Sequence, residues 1–294
     1  MRKKCLLVGG CGFLLSNFVR KCLYAKDETV EFVTFDKLLY KHSIQNYYAN
    51  KHHKLYIGDV CDFHQLKSIV NFEKPDVVIF GAGDKTINSI QTKLVGLENL
   101  SKLSSQFERL IYLSNTDISE PAILPKTLQV SFENSSELFI KQDVKFKYNI
   151  LRLPSVFGPR QNLEEDVAMS INCALNNLKF LPKTYSNTNR LYIDDFCSAL
   201  MSVIEKGLCN KIYSTDIMVD YVYSVEINQM IEKIHQSNLS DIIYEEYLKE
   251  DPDDYTKALI NLGWTKQTSL NDGLQETYNW YKNNSWFGRS NETL

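Results

Sequence analysis

The chain has 294 residues, 44% hydrophobic and 23% charged, with a formal net charge of −3. That length and composition belong to a globular chain forming one large domain or a domain with a smaller lobe. A charge so near neutrality excludes the footprint of a nucleic-acid binder or an anionic-membrane binder, and no apolar run approaches the roughly 20 residues that span a bilayer.

The basic start is followed by about four apolar residues before a glycine, too few for a signal peptide. Seven cysteines (Cys5, Cys11, Cys22, Cys61, Cys173, Cys197 and Cys209) are scattered, with no C-x-x-C pair and no histidine cluster nearby. That pattern argues against a disulfide framework and against a zinc site. Reduced cysteines without an export signal are expected in the cytoplasm. No internal repeat or low-complexity tract interrupts the chain.

The first element is "KCLLVGGCGFLLSNFV", residues 4–19. Cys5 to Val8 form an apolar run of strand length, Gly9-Gly10-Cys11-Gly12 a tight turn, and Phe13 to Val19 carries apolar residues at helical spacing. Strand, glycine turn and helix in that order predict a dinucleotide site. Next come "EFVTF" (31–35), "KLYIGD" (54–59), "DVVIFGA" (76–82), "RLIYLS" (109–114) and "YNILRLP" (148–154), all reading as buried strands. Candidate helices lie between them at about 62–72, 86–106 and 130–142. Strands spaced by helices make βαβ units, hence an α/β fold with a doubly wound, Rossmann-like parallel sheet.

After Gly158-Pro159 the pattern becomes more mixed. It predicts helices near 164–177, 195–206 and 224–235, a strand at "RLYI" (190–193), and a terminal helix capped by Ser269. The expected organisation is a dinucleotide-binding domain over 1–155 and a smaller C-terminal α/β substrate lobe over 156–294. No Pro/Gly-rich linker separates them, so one compact body is expected.

The glycines of the turn have separate tasks. Gly9 permits the sharp bend, and Gly12 lets backbone N–H groups approach a pyrophosphate at the positive helix terminus. The usual fingerprint has a third glycine where this chain has Leu15. There helix and strand touch without an intervening side chain, so a leucine costs about 1–3 kcal/mol in overpacking or pushes the helix outward. Asp36 supports the site. It ends the second strand about 24 residues after Gly12, where a carboxylate accepts from an adenosine ribose and repels a 2′-phosphate, favouring NAD over NADP. The candidate cofactor residues are Gly9, Gly12, Phe13, Leu14, Asp36, Lys37, Asp59, Val60, Gly81, Ala82 and Gly83. The expected cofactor is NAD, its binding weakened by Leu15.

With "GGCGF", "FDKLLY" (35–40), "GDVCD" (58–62), "RLIYLS", "LRLPSVFGPRQ" (151–161), "LYIDD" (191–195) and the tail "LGWTKQTSLNDGLQETYNWYKNN" (262–284), the chain resembles the extended short-chain dehydrogenase/reductases almost end to end. The resemblance is to their dTDP-glucose 4,6-dehydratase group. It implies NAD, a nucleotide-sugar ligand and dimerisation through a helix bundle. It also implies a Tyr-x-x-x-Lys pair, in which lysine lowers the tyrosine pKa for proton transfer from a sugar hydroxyl, and an Asp-Glu pair that eliminates water.

This chain departs from those patterns. With Glu137 of "NSSELFI" on the family's acidic position, Gln129 falls on the tyrosine and Glu133 on the lysine. An amide cannot cycle a proton, and a glutamate brings negative charge where a phenolate needs positive. Two other Tyr-x-x-x-Lys spacings, Tyr47/Lys51 and Tyr278/Lys282, lie outside the expected helix. In "LSNTD", Ser114 matches the dehydratase run, but Thr116 and Asp117 leave one carboxylate where the family has two. Glu165 and Met169 replace family lysines, and acidic residues at 253–254 stand where a phosphate-gripping arginine is expected. Arg160, Arg190 and Lys183 are candidates for phosphate contacts from new positions. Arg152 reads as strand-end structure, and the five histidines as surface or packing residues.

Three readings follow. One is a dehydratase-like protein that keeps the fold and NAD but has lost ordinary turnover, acting by binding or as a partner subunit. The second is an active NAD-dependent nucleotide-sugar dehydratase, epimerase or reductase using substituted residues. The third, an interaction module without ligand, fits poorly with Asp36 and the small strand-end residues. The expected partners are a nucleotide or nucleotide sugar and a second copy or another protein, with no metal.

Overall fold

The protein is described from a computed structural model, over residues 2–25, 29–39, 43–83, 87–115, 128–143, 145, 147–178, 187–217, 222–236 and 247–287. Its elements run β1 (Lys3–Val8), α1 (Phe13–Tyr24), β2 (Val30–Asp36), α2 (Ser43–Asn46), β3 (His53–Ile57), α3 (Phe63–Glu73), β4 (Val77–Phe80), α4 (Ile87–Ser101), β5 (Arg109–Asn115), α5 (Leu128–Gln142) and β6 (Tyr148–Leu153). They continue β7 (Ser155–Phe157), α6 (Asp166–Leu175), β8 (Asn187–Thr188), β9 (Arg190–Tyr192), α7 (Ile193–Lys206), β10 (Lys211–Ser214), β11 (Val222–Tyr223), α8 (Ser224–His235), α9 (Asp254–Ile260) and α10 (Leu270–Asn283).

Seven strands form one parallel sheet in the order β10-β6-β5-β4-β1-β2-β3. The strand order reverses between β1 and β4, the crevice where doubly wound sheets take their ligands. In β1, Cys5 and Leu7 pack into one core cluster, with α1, α6, α7, α8 and α10. Leu6 and Val8 pack into the other, with α3 and α4. This period-two division fills both faces, which is why the parallel strands read as continuous apolar runs.

Helix ends follow local chemistry. Asp62 caps α3 by accepting from the His64 and Gln65 N–H groups, and Ser269 caps α10 by accepting from Asp272 N. The buried Asp195 explains how two motifs distant in sequence work together. Its carboxylate accepts from Gln267 N at 2.7 Å and Thr268 N at 3.1 Å, while its carbonyl accepts from the Trp264 indole at 3.0 Å. "LYIDD" therefore anchors the tail that begins "LGWTKQTS".

Some elements differ from the expectation. The fourth helix ends at Ser101, and a separate 3-10 turn covers Ser104–Gln106. Ile193 begins α7 and does not end β9. The short β10, unread in the sequence, lies after position 156 yet pairs with β6 as an edge of the main sheet. Strand β9 was read at 190–193, whereas its ribbon partner β7, the ribbon β8/β11 and helix α9 had no strong periodic signal.

Leu15 is accommodated by a missing side chain opposite. It is fully buried in the core, and a Cβ added at Gly81 would lie 2.9 Å from Leu15 Cδ1. The leucine thus occupies space that Gly81 leaves open, which relieves the overpacking expected from the fingerprint. Helix α1 starts regularly at Phe13, with Ser16 N donating to Gly12 O at 3.1 Å.

Candidate functional site

The glycine turn lies at the carboxyl ends of β1, β2 and β4. Gly9 has φ +81°, and a Cβ there would fall 2.8 Å from Ala82 Cα, so only glycine fits both the conformation and the space. Gly9 N donates to Phe35 O at 2.9 Å, and Gly12 N to Gly9 O at 3.0 Å, closing the turn. No side chain caps α1 at Gly12, and its first turn carries no acid. The bare positive terminus suits an anion. Phe13 and Leu14 lie partly buried against the core below it.

Asp36 faces this turn from the end of β2. One carboxylate oxygen accepts from Cys11 N at 2.9 Å and the other from Leu38 N at 2.8 Å. Each oxygen retains acceptor capacity, as a ribose diol requires. Burial raises the carboxyl above its ordinary range, against the pull of the Leu38 and Cys11 N–H groups. Cys11 is buried, and burial followed by the nearby Asp36 pushes its thiol up to about 12, so it is an inert packing residue.

The neighbouring crest carries Asp59. Burial works against its charge, but Lys37 at 2.7 Å and the Cys61 N–H at 2.9 Å hold the carboxyl below its usual range. Val60 is buried in the core, and its carbonyl accepts from Asn99 Nδ2 at 3.0 Å. Gly81 N donates to Val8 O at 3.0 Å, Ala82 abuts Gly9, and Gly83 has φ +123°. The structure therefore gathers Gly9, Gly12, Asp36, Gly81, Ala82 and Gly83 at the β1/β4 crevice, with Lys37 and Asp59 beside it.

A second constellation occupies the ends of β5 and β6. Glu137 on α5 is buried and accepts from Ser114 Oγ at 2.8 Å. Arg152 grips it through two bonds of 3.0 and 2.8 Å, and Lys141 adds a third cationic contact at 3.0 Å. Burial opposes the carboxylate, but Arg152 foremost, then Ser114 and Lys141, hold it below the ordinary range. The Ser114 hydroxyl is thus committed to a carboxylate that is a poor base. Above the guanidinium lies the half-exposed Tyr255 of α9, its ring centroid 4.9 Å from Arg152 Cζ.

With Glu137 anchored on the sheet, the α5 register sets the backbone of Glu133 about one turn and Gln129 about two turns nearer the helix start, roughly 6 and 12 Å along the axis. Thr116, Asp117 and Lys183 lie outside the described residues, as do the side chains of Gln129 and Glu133.

Other candidates go elsewhere. Tyr47 donates to His53 O at 2.8 Å beside β3, the opposite edge of the sheet. Tyr278 is buried on α10 with its hydroxyl 2.8 Å from His235 Nδ1. Arg190 turns inward onto Asp166, which also accepts from Ser224. Asp253, one of the acidic pair, caps α9 by accepting from Thr256 N at 2.7 Å. His53 is buried between Thr34 and the Tyr48 carbonyl, and burial lowers its pKa. Among the described residues, no group of three His, Cys, Asp or Glu stands ready for a metal, and no helix is long and apolar enough to cross a membrane.

Sequence reasoning did not find Cys11 as the partner of Asp36, because its donor is a backbone N–H that any residue supplies. Tyr255 had no signal either, since nothing local ties α9 to β6.

Sheet order, switch-point crevice and glycine turn together define a Rossmann-like protein. No family model matches the chain. It is 24% identical over 319 residues to the dTDP-D-glucose 4,6-dehydratase of Homo sapiens, covering 96% of this chain and 91% of that one. Among solved structures it resembles the Bacillus anthracis dTDP-glucose 4,6-dehydratase in complex with NAD, with a TM-score of 0.82, 21% identity and coverage of 97% and 98%. It also resembles the Thermotoga maritima UDP-glucose 4-epimerase with UDP-glucose, with a TM-score of 0.79, 20% identity and coverage of 96% and 99%. The chain is related to the extended short-chain dehydrogenase/reductases, on their nucleotide-sugar dehydratase and epimerase side.

Proposed function

We propose that this protein binds NAD and a nucleotide sugar but lacks ordinary dehydratase turnover, and that it acts by binding, as a regulatory or partner subunit. Residues 1–155 would hold the cofactor and 156–294 the sugar nucleotide. Gly9, Gly12 and the start of α1 suit the pyrophosphate, Asp36 the adenosine ribose, Asp59 and the Val60 backbone the adenine, and Gly81 to Gly83 the inner half. NAD bound there would supply a hydride acceptor. The dTDP and UDP sugars named with the relatives point to the same ligand class. The free thiols suit a reducing compartment such as the cytoplasm.

The observation that carries the loss of turnover is the buried Glu137, bound to Arg152 and Ser114. It supports the register that assigns Gln129 and Glu133 to the family's tyrosine and lysine. Losing a general base costs roughly 10²–10⁴-fold in rate, before the reversed charge at Glu133 is counted. The test is a steady-state assay of purified protein with dTDP-glucose or UDP-glucose and NAD. Ligand binding without 4-keto product is expected; turnover at a rate normal for the family defeats the proposal.

One contact favours the active reading. Tyr255 on Arg152 brings a phenol beside a cation at the carboxyl edge of the sheet. If any activity is found, Tyr255→Phe should abolish it on that reading; an active Tyr255→Phe protein would remove the contact as its basis.

A further inference from the structure

A third cluster lies between the glycine turn and the end of α10. Arg160, which follows Gly158-Pro159, donates from Nη1 to Gln45 O at 3.0 Å. Arg20 on α1 spreads Nη2 over the carbonyls of Gln45, Asn46 and Tyr47 at 3.4, 3.1 and 3.3 Å. The first two close the one-turn helix α2, and Tyr47 follows it directly. A helix end leaves such carbonyls without intrahelical donors and carries partial negative charge, so a guanidinium suits it.

Two guanidinium groups exceed what capping one turn requires. Burial and then Arg20 push Arg160 down to about 10, which still leaves it charged at neutral pH. Its backbone sits at φ +69°, an uncommon conformation for a residue with a side chain. Aromatic rings hold the side chain in place: Trp280, Trp286 and Phe287 have centroids 5.2, 5.7 and 6.0 Å from its Cζ. Cation–π attraction offsets part of the repulsion and desolvation.

From α2 the contacts continue to the cofactor turn. The buried Asn46 donates from Nδ2 to Cys11 O at 3.1 Å. On the other side of that residue, Cys11 N donates to Asp36. Asn17 makes a parallel link, donating to Phe13 O at 2.9 Å and to Pro159 O at 3.0 Å. The carbonyl before Arg160 thus meets α1 through Asn17, and its guanidinium meets α2, whose Asn46 contacts the turn.

We infer that Arg160 is a positioning residue for the glycine turn: caged by the C-terminal aromatics, it fixes α2, and Asn46 then holds the carbonyl of Cys11, the residue whose N–H orients Asp36. The C-terminal segment thereby tunes a nucleotide site formed at the other end of the chain. Only the nucleotide arm of the test rests on the NAD reading.

The experiment is hydrogen exchange of the turn peptide in the full chain without nucleotide, paired with NAD titration. The variants are Arg160→Ala, Arg160→Lys, Asn46→Ala and Trp286→Leu. Tyr281→Phe is the control, because it removes the hydroxyl's 2.6 Å bond to Gln161 O in the same corner while keeping the ring against Trp280 and Phe287 and leaving the hydrogen bonds of the relay in place. Arg160→Ala and Asn46→Ala should each speed Cys11 amide exchange about 3- to 10-fold, as expected for one lost hydrogen bond. Their double variant should exceed neither single by much, because the residues share one path. Trp286→Leu should act in the same direction, and Arg160→Lys should recover part of the protection.

The NAD dissociation constant should rise in the same order. Unchanged turn exchange in Arg160→Ala, or an equal rise in Tyr281→Phe, overturns the inference. If the wild type binds no NAD while the exchange order holds, the cofactor reading falls and the positioning role stands.

Discussion

Replacing Glu137 with glutamine keeps the side-chain volume and removes the charge. Arg152, only 7% exposed, would then lose its principal counter-ion. Removing one partner of a buried pair typically costs about 3–5 kcal/mol, because the remaining charge stays desolvated. At roughly 2 °C per kcal/mol for a chain this long, the melting temperature should fall by about 6–10 °C at pH 7. The folded-state pKa of Glu137 is depressed, so its contribution is full above the unfolded value near 4.3 and is lost as pH falls through the folded value. The gap between wild type and Glu137→Gln should therefore narrow below about pH 4. Thermal unfolding across pH 3–7 measures both effects. A loss under about 1 kcal/mol at pH 7, or a gap that does not change with pH, would refute the buried pair and the α5 register built on it.

Gly9→Ala should cost more than about 2 kcal/mol, since left-handed backbone alone costs about 1–2 kcal/mol and the new Cβ meets backbone at 2.8 Å; denaturant titration checks it. Leu15→Ala should cost about 2–5 kcal/mol as a core truncation, and adding Gly81→Ala should recover part by filling the same space; additive losses in the melts would contradict the pairing. Asp36→Ala should weaken NAD roughly 10- to 100-fold, the range for a charged hydrogen-bond partner, read by calorimetry; unchanged affinity would remove Asp36 from the site.

The main sheet was legible because buried parallel strands leave continuous apolar runs, as in "CLLV" and "VVIF". Strand β10 was not, since an edge strand of four residues, half of it buried, carries too little pattern. Ser269 was readable as a cap because capping is local. The compensation of Leu15 by Gly81 was invisible: each residue looks ordinary alone, and only the sheet order brings β1's helix against the end of β4. The turn and Asp36 were found through their spacing, whereas the Arg160 cage joins segments that no spacing rule connects.

A crystal structure grown with NAD and dTDP-glucose tests the central claim most directly, by showing which side chain lies against the nicotinamide and the sugar 4-hydroxyl. The Gln129 amide is expected there, with Glu133 one turn behind it and unreacted sugar in the site. A tyrosine hydroxyl beside a lysine or arginine at that place, with a 4-keto sugar bound, would contradict it.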